Sequence, residues 1–318
     1  MRNPWTTLPV PDARLDGFRD IERGPDGAVY TAEASVQGLS KVTSVSQASR
    51  AAFVSLGDFY PTYMASGSDG NLYINLFNQT GGHYVGSFTT AGSQIALYDC
   101  DPTPAGDTCS VGNLTRGPDG SVWFCEYHHV ASISPQGKFA EYSIEGITMQ
   151  DNESPTIVVG PDGKLWFTVW GAIGVSGFLA SIEPVSQKIA AYPLPYPACI
   201  QTRGLAVGAD SSLYVACETD GSGSVIARVT TRGNVTTIPY QPGFASFVTT
   251  MAGGSDGKVY FSSAAAGGGL ADYDPRAKIV EFRHSPIYGV GPLMAGPDGT
   301  IWGGVNTIGI DIYRVPKR

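Results

Sequence analysis

One motif, repeated seven times, governs what this chain can fold into. A turn of the form Gly-x-Asp-Gly, followed by an aliphatic–aromatic pair, begins at Gly24, Gly67, Gly117, Gly160, Gly208, Gly254 and Gly296. The copies read GPDGAVY, GSDGNLY, GPDGSVW, GPDGKLW, GADSSLY, GSDGKVY and GPDGTIW; only the fifth lacks the second glycine. They lie 43, 50, 43, 48, 46 and 42 residues apart, the length of one four-stranded propeller blade. A period of this length means one supersecondary unit per repeat, stacked on its neighbours to bury a shared core.

Each unit has the same internal order. A short apolar strand precedes the turn, Asp-Gly supplies a reversal that favours positive φ, and a second strand carries the aromatic, Tyr30, Tyr73, Trp123, Trp166, Tyr214, Tyr260 or Trp302. An aromatic that recurs once per unit is expected to pack between units. A third strand (HVASISPQG, FLASIEPVS, VIARVTTRG) and a fourth (KFAEYSI, KIAAYPLP, NVTTIPY) follow. The seventh unit stops after its third strand, IGIDIYRV, while WTTLPVP near the start of the chain reads like a fourth strand. Residues 4–10 are therefore expected to pair with residues 308–315 and close the ring, which removes open sheet edges. The expected fold is all-β: one seven-bladed β-propeller domain, residues 1–318.

Composition agrees and narrows the partners. The 41 glycines and 22 prolines, with 15% charged residues, suit many short strands joined by tight turns. A net charge of −8 argues against nucleic acid as a partner. No stretch is apolar enough to span a bilayer as a helix, and the residues Met1 to Pro4 lack the apolar core of a signal peptide. Low Lys content and the many Ser, Thr and Gly residues suggest an exported protein, extracellular or periplasmic, with one or two disulfides and its signal peptide removed; a cytosolic protein is the alternative. Cys100 with Cys109, and Cys199 with Cys217, are the candidate disulfides, with Cys125 left over; five unbridged thiols are the alternative. A monomer is the expected state.

The runs GPDGSVWFCE with ISPQGKFAEYSI, and GPDGKLWFTV with AAYPLP, resemble the repeat of the virginiamycin B (streptogramin) lyase family, and the resemblance extends over the whole chain. It implies a seven-bladed propeller. For the family's lyases it further implies opening of a cyclic depsipeptide at its ester by β-elimination, with a Mg²⁺ ion and a general-base His. The family's catalytic His positions, five residues before each motif glycine, hold Arg19, Thr62, Gly112, Pro155, Arg203, Thr249 and Gly291 in this sequence. None is His. The family's metal-contacting acids have counterparts only in Glu153, Glu33 and Glu126.

All four histidines fall in loops of one face, the face opposite the Asp-Gly turns: His83, His128, His129 and His284. His83, Glu126, His128, His129 and Glu153 belong to neighbouring blades 2, 3 and 4. The candidate catalytic set is Glu126, His128, His129 and Glu153. The candidate metal set for Mg or Ca is Glu126, His128 and Glu153. Polar residues also collect in loops for no catalytic reason, and that alternative stays open. Arg19 and Arg203 stand at inner-strand starts, placed to clamp a carboxylate or to pair with local acids such as Asp16, Asp20 or Glu218. Asp58, Tyr60 and Tyr63, with His83 as a further substrate-binding candidate, make a rim suited to a polar ring or sugar, or simply to covering the channel mouth. Asp99, Asp101 and Asp107 are a further candidate Ca²⁺ group. Two functions follow: a metal-assisted lyase or hydrolase acting on a small cyclic ester, lactone or sugar-derived substrate at the channel mouth, or a binding propeller for a glycan, peptide or protein.

Overall fold

Seven antiparallel four-stranded sheets stand around a central channel, each blade carrying one copy of the motif. This computed structural model describes residues 5–9, 18–34, 37–44, 49–100, 111–126, 129–144, 155–170, 176–219, 224–239, 248–263, 269–283, 291–296, 298–305, 309–313 and 315. The inner strands, in blade order, are Phe18–Arg23, Phe59–Ser66, Leu114–Arg116, Ile157–Val159, Gln201–Val207, Val248–Gly253 and Leu293–Ala295. His128, Glu153, His284, Asp101, Asp107 and Cys109 lie outside the described residues.

The motif folds the same way in every blade, for a reason its residues supply. The turn aspartate turns back and accepts a hydrogen bond from the aromatic four residues on. Tyr30, Tyr73, Tyr214 and Tyr260 hydroxyls donate to Asp26, Asp69, Asp210 and Asp256 at 2.9, 2.9, 3.0 and 2.9 Å. The indoles of Trp123 and Trp166 donate to Asp119 and Asp162, both at 2.9 Å. In blade 7 the bond is relayed: the Trp302 indole donates to Thr300 Oγ1 at 2.8 Å, and Thr300 donates to Asp298 at 2.5 Å. The aromatic ring lies flat across the first glycine of the motif, so that a Cβ at any of the seven would collide with the ring or with the Asp or Thr bound to it. The second glycine takes the left-handed conformation, with φ between 78° and 84° at Gly27, Gly70, Gly120, Gly163, Gly257 and Gly299. In the fifth copy Ser211 holds the same conformation, at φ 58°.

The aromatics do pack between blades. Tyr73 joins Val122 and Phe124 of blade 3 in one cluster, Trp123 joins Leu165 and Phe167 of blade 4, and Trp302 joins Ile21 and Val29 of blade 1. The core is therefore a ring of seven inter-blade layers.

The ring closes as the sequence suggests. Trp5–Pro9 is the outer strand of blade 7 and pairs antiparallel with Gly309–Tyr313, Trp5 opposite Tyr313. Their rings meet at 4.9 Å. Cys199 and Cys217 form a disulfide within blade 5, with an S–S distance of 1.99 Å. Cys100 and Cys125 are buried in neighbouring core layers.

Two outcomes are expected. Removing residues 1–9 exposes the edge of Gly309–Tyr313 and should lower the melting temperature by roughly 5 °C or more, read by calorimetry. Ser211→Gly relieves a left-handed non-glycine residue and should raise stability by about 0.5–1 kcal/mol in denaturant titration, net of the entropy of the added glycine.

Candidate functional site

The inner strands of neighbouring blades belong to separate sheets, and side chains stitch one blade to the next. Asp20 Oδ2 accepts from the Met64 backbone N–H at 2.7 Å. Asn113, in the equivalent place of blade 3, accepts from the Ile157 N–H at 2.6 Å and donates to its carbonyl at 3.2 Å. Thr156 and Thr250 donate to the carbonyls of Arg203 and Gly291 in the following blades, at 2.9 and 3.0 Å. These residues sit four places before the motif glycines, where register shifts in blades 1, 2, 5 and 6 re-aim the chain.

That same ring borders a cavity of about 390 Å³ at the channel mouth. All seven residues four before the glycines line it: Asp20, Tyr63, Asn113, Thr156, Gly204, Thr250 and Pro292. From the ring five before the glycines, Arg203 lines it and Arg19 does not. Two positions of that second ring are sterically closed to any side chain: a Cβ at Gly112 would collide with the Pro155 carbonyl, and one at Gly291 with the Gly304 carbonyl.

Arg203 is held in a fixed pose. Its Nε donates to Glu218 Oε1 at 2.7 Å, its Nη2 to Gln201 Oε1 at 3.3 Å, and the guanidinium lies 4.6 Å over the Trp170 ring. Trp170 is anchored in turn by its indole N–H on the Thr202 carbonyl. The pairing of Arg203 with Glu218 is one that the sequence left open. The guanidinium keeps part of its surface toward the cavity, and a stacked, pre-oriented Arg is a good partner for a carboxylate or a polarised carbonyl.

Asp20 is the acidic group of this cavity. Burial pushes its carboxyl up to about 7, against the pull of the Met64 and Ile21 backbone amides. Glu22, two residues along the same strand, is pushed up to about 8 by burial and then by Asp20; the backbone of Ser66 and the charge of Arg116 draw it back. A carboxyl that titrates near neutral pH can hold or give up a proton under working conditions, which is what acid–base chemistry asks of it.

The remaining candidates are spread out. Tyr63 lines the cavity; Asp58 is exposed in a turn and does not. Tyr60 stacks on Phe77 at 5.1 Å and accepts a hydrogen bond from Gln79 at 2.8 Å. His83 stacks on the other edge of Phe77 at 6.2 Å. Glu126 is buried, 2% exposed, directly opposite half-buried His129 in the ladder. By strand alternation it shares the face of Val122 and Phe124, toward blade 2, and it is not among the residues that line the channel-mouth cavity. Glu33 is buried and accepts from Thr31 at 2.8 Å. Among the described residues no three His, Cys, Asp or Glu side chains converge to hold a metal. The cavity's described wall holds one carboxylate, Asp20 of blade 1, and one cation, Arg203 of blade 5. One carboxylate does not make a donor set for a resident Mg²⁺ or Ca²⁺, which wants several oxygens.

Asp20 is the residue that sequence reasoning did not single out for chemistry. Its signal was present one residue later in each repeat: reading the ring four before the glycines, instead of five, isolates Asp20 as its only ionisable carboxyl.

A family model described as the virginiamycin B lyase family matches residues 5–225. No curated protein matches the sequence. Among solved structures, a streptogramin B lyase superposes with a TM-score of 0.77 at 18% identity, covering 97% of this chain and 96% of that one. Virginiamycin B lyase from Staphylococcus aureus gives 0.77 at 21% identity, with 98% of each chain covered. The extracellular domain of the putative hybrid two component system BT4673 from B. thetaiotaomicron gives 0.67 at 14% identity, covering 99% of this chain and 40% of that one.

The two raised carboxyls make stability depend on pH. Their folded values, about 7 and about 8, stand above the ordinary 3.8 and 4.5, so from about pH 4 to pH 8 the folded chain holds protons that the unfolded chain has released. Their contribution is complete below pH 4 and is lost as pH rises through 7 to 8. The double variant Asp20→Asn, Glu22→Gln should show a smaller fall in melting temperature between pH 5 and pH 8.5 than the wild type. Equal falls would contradict the assignment.

Proposed function

The chain belongs to the virginiamycin B lyase family, and from that premise we propose that it works at the channel mouth as a lyase, opening a small cyclic ester, lactone or sugar-derived ring with Asp20 as the base. The observation that carries this reading is a single cavity bordered by both a carboxyl, Asp20, and a pre-oriented guanidinium, Arg203. The sequence has no His at the family's seven base positions, so a base must come from elsewhere.

In this scheme ionised Asp20 takes the proton from the carbon next to a substrate carbonyl. The electron pair of that C–H bond becomes a C=C bond as the neighbouring C–O bond breaks and the ester's acyl oxygen leaves as a carboxylate. Arg203 offsets the negative charge that grows on the carbonyl oxygen, a stabilisation realised mainly in the transition state. Trp170 and Glu218 keep the guanidinium from following that charge, so little reorganisation is needed. The proton then passes from Asp20 to water. No step is routed through a metal. The Cys199–Cys217 bridge supports an oxidising compartment, and so an exported protein.

A second reading keeps the same site without chemistry. The stacked, ion-paired Arg203 suits a carboxylate-bearing ligand that is only held, and the family's acid–base residues are replaced.

The test is to incubate the protein with cyclic depsipeptides and small lactones and follow the products by mass spectrometry. Elimination opens the ring without a change of mass; hydrolysis adds water. Asp20→Asn should lower kcat by about 100-fold or more with KM little changed, and Arg203→Gln should raise KM. A wild type that binds these compounds in calorimetry but turns none over overturns the catalytic reading in favour of the binding one. Neither binding nor turnover sinks both.

A further inference from the structure

The opposite mouth of the channel, on the side of the Asp-Gly turns, holds a second cavity of about 430 Å³, and it breaks the sevenfold symmetry. The residues just before the motif glycines are, in blade order, Arg23, Ser66, Arg116, Val159, Val207, Gly253 and Ala295. One place earlier stand Glu22, Ala65, Thr115, Val158, Ala206, Ala252 and Met294. Every polar side chain of these two rings belongs to blades 1 to 3, and all five of them line the cavity: Glu22, Arg23, Ser66, Thr115 and Arg116. The other four blades present only glycine and apolar side chains there. Packing alone would reward the same small apolar residues in every blade. A polar sector confined to three adjacent blades calls for another reason.

The sector is cationic. Arg23 and Arg116 are exposed, and neither forms a salt bridge with a described residue. The turn aspartates of these blades, Asp26, Asp69 and Asp119, are engaged by the aromatics of their own blades. Two guanidiniums on one small concave surface, without an ion-pair partner among the described residues, repel each other unless an anion sits between them.

We propose that this lower mouth is a second ligand site, specific for a small oxyanion, a carboxylate or a phosphate, gripped between Arg23 and Arg116 with the hydroxyl of Thr115 as a further donor; the Ser66 hydroxyl is already given to the Arg23 carbonyl. It is separate from the channel-mouth cavity and does not depend on the activity assigned there. Glu22 fits the same reading. Burial pushes its carboxyl up to about 8, so at neutral pH it is mostly protonated and able to donate to the anion. The charged groups around it are Asp20 above it on its own strand, Arg23 beside it and Arg116 on the inner strand of blade 3. The neighbouring inner strands present Ala65 and Ser66 on one side, and Met294 and Ala295 on the other. Ionisation of Glu22 adds a negative charge to the site, so anion affinity should fall as pH rises through about 8.

The experiment is isothermal calorimetry of the full chain with inorganic phosphate and, separately, with malonate, at pH 6.5 and pH 9. One probe should bind saturably at one site per chain at pH 6.5, and which one it is identifies the source of the oxyanion. Arg23→Gln with Arg116→Gln should weaken that binding by at least about tenfold while leaving the melting temperature near wild type, because both side chains are exposed. Arg203→Gln should leave it unchanged. Glu22→Gln should remove most of the difference between pH 6.5 and pH 9. Binding of neither probe, binding that survives loss of both arginines, or binding abolished by Arg203→Gln would overturn the proposal.

Discussion

The whole structure depends on one local arrangement: an aromatic ring lying across a glycine and tied to the aspartate of the same turn. It fixes the reversal between the first two strands of each blade. It also aims the ring sideways into the next blade, so the interaction that folds a repeat is the one that joins it to its neighbour. The glycine is required by the ring and not by its own backbone; only the second glycine of the motif is there for a positive φ. Burial and the adjacent carboxylate hold Tyr73, Tyr214 and Tyr260 in the phenol form well above their ordinary range, which keeps the donor in place at any physiological pH.

A scaffold repeated this regularly makes its exceptions informative. Around each mouth of the channel, equivalent positions have equivalent surroundings, so a charged residue in one blade and not the others has no general structural cause. Asp20 and Asn113 illustrate this. Both accept a backbone N–H from the next blade, and asparagine does so without a charge to bury. A carboxyl at the same place gives nothing more to the stitch, costs desolvation, and is poised near pH 7. Arg203 likewise spends a guanidinium where threonine, glycine or proline serves in five of the other blades; Arg19 of blade 1 repeats the residue but does not line the cavity.

The fold was legible almost completely, because the motif is local and its period is long and regular. The closure of blade 7 by Trp5–Pro9 followed from counting strands. The site was legible only in part. Family resemblance directed attention to the ring five before each glycine, yet bulges in four inner strands turn the ring after it toward the cavity. A bulge of one residue leaves no mark in hydrophobic periodicity. The Tyr60 and His83 side chains, read as a rim for ligand, stack on Phe77, whose cross-strand position becomes visible only with the register. The proposed set at Glu126, His128, His129 and Glu153 is met in the described residues by Glu126 opposite His129 alone.

The central claim is that Asp20 is a carboxyl tuned to neutral pH inside a cavity shared with Arg203. Carbon-13 NMR of the aspartate side chains, assigned by comparison with Asp20→Asn, measures it directly as pH is varied. The account expects the Asp20 resonance to titrate with a midpoint near 7. A midpoint near the ordinary 3.8 would mean a solvated surface carboxylate, and would contradict both the burial argument and the base assigned to it.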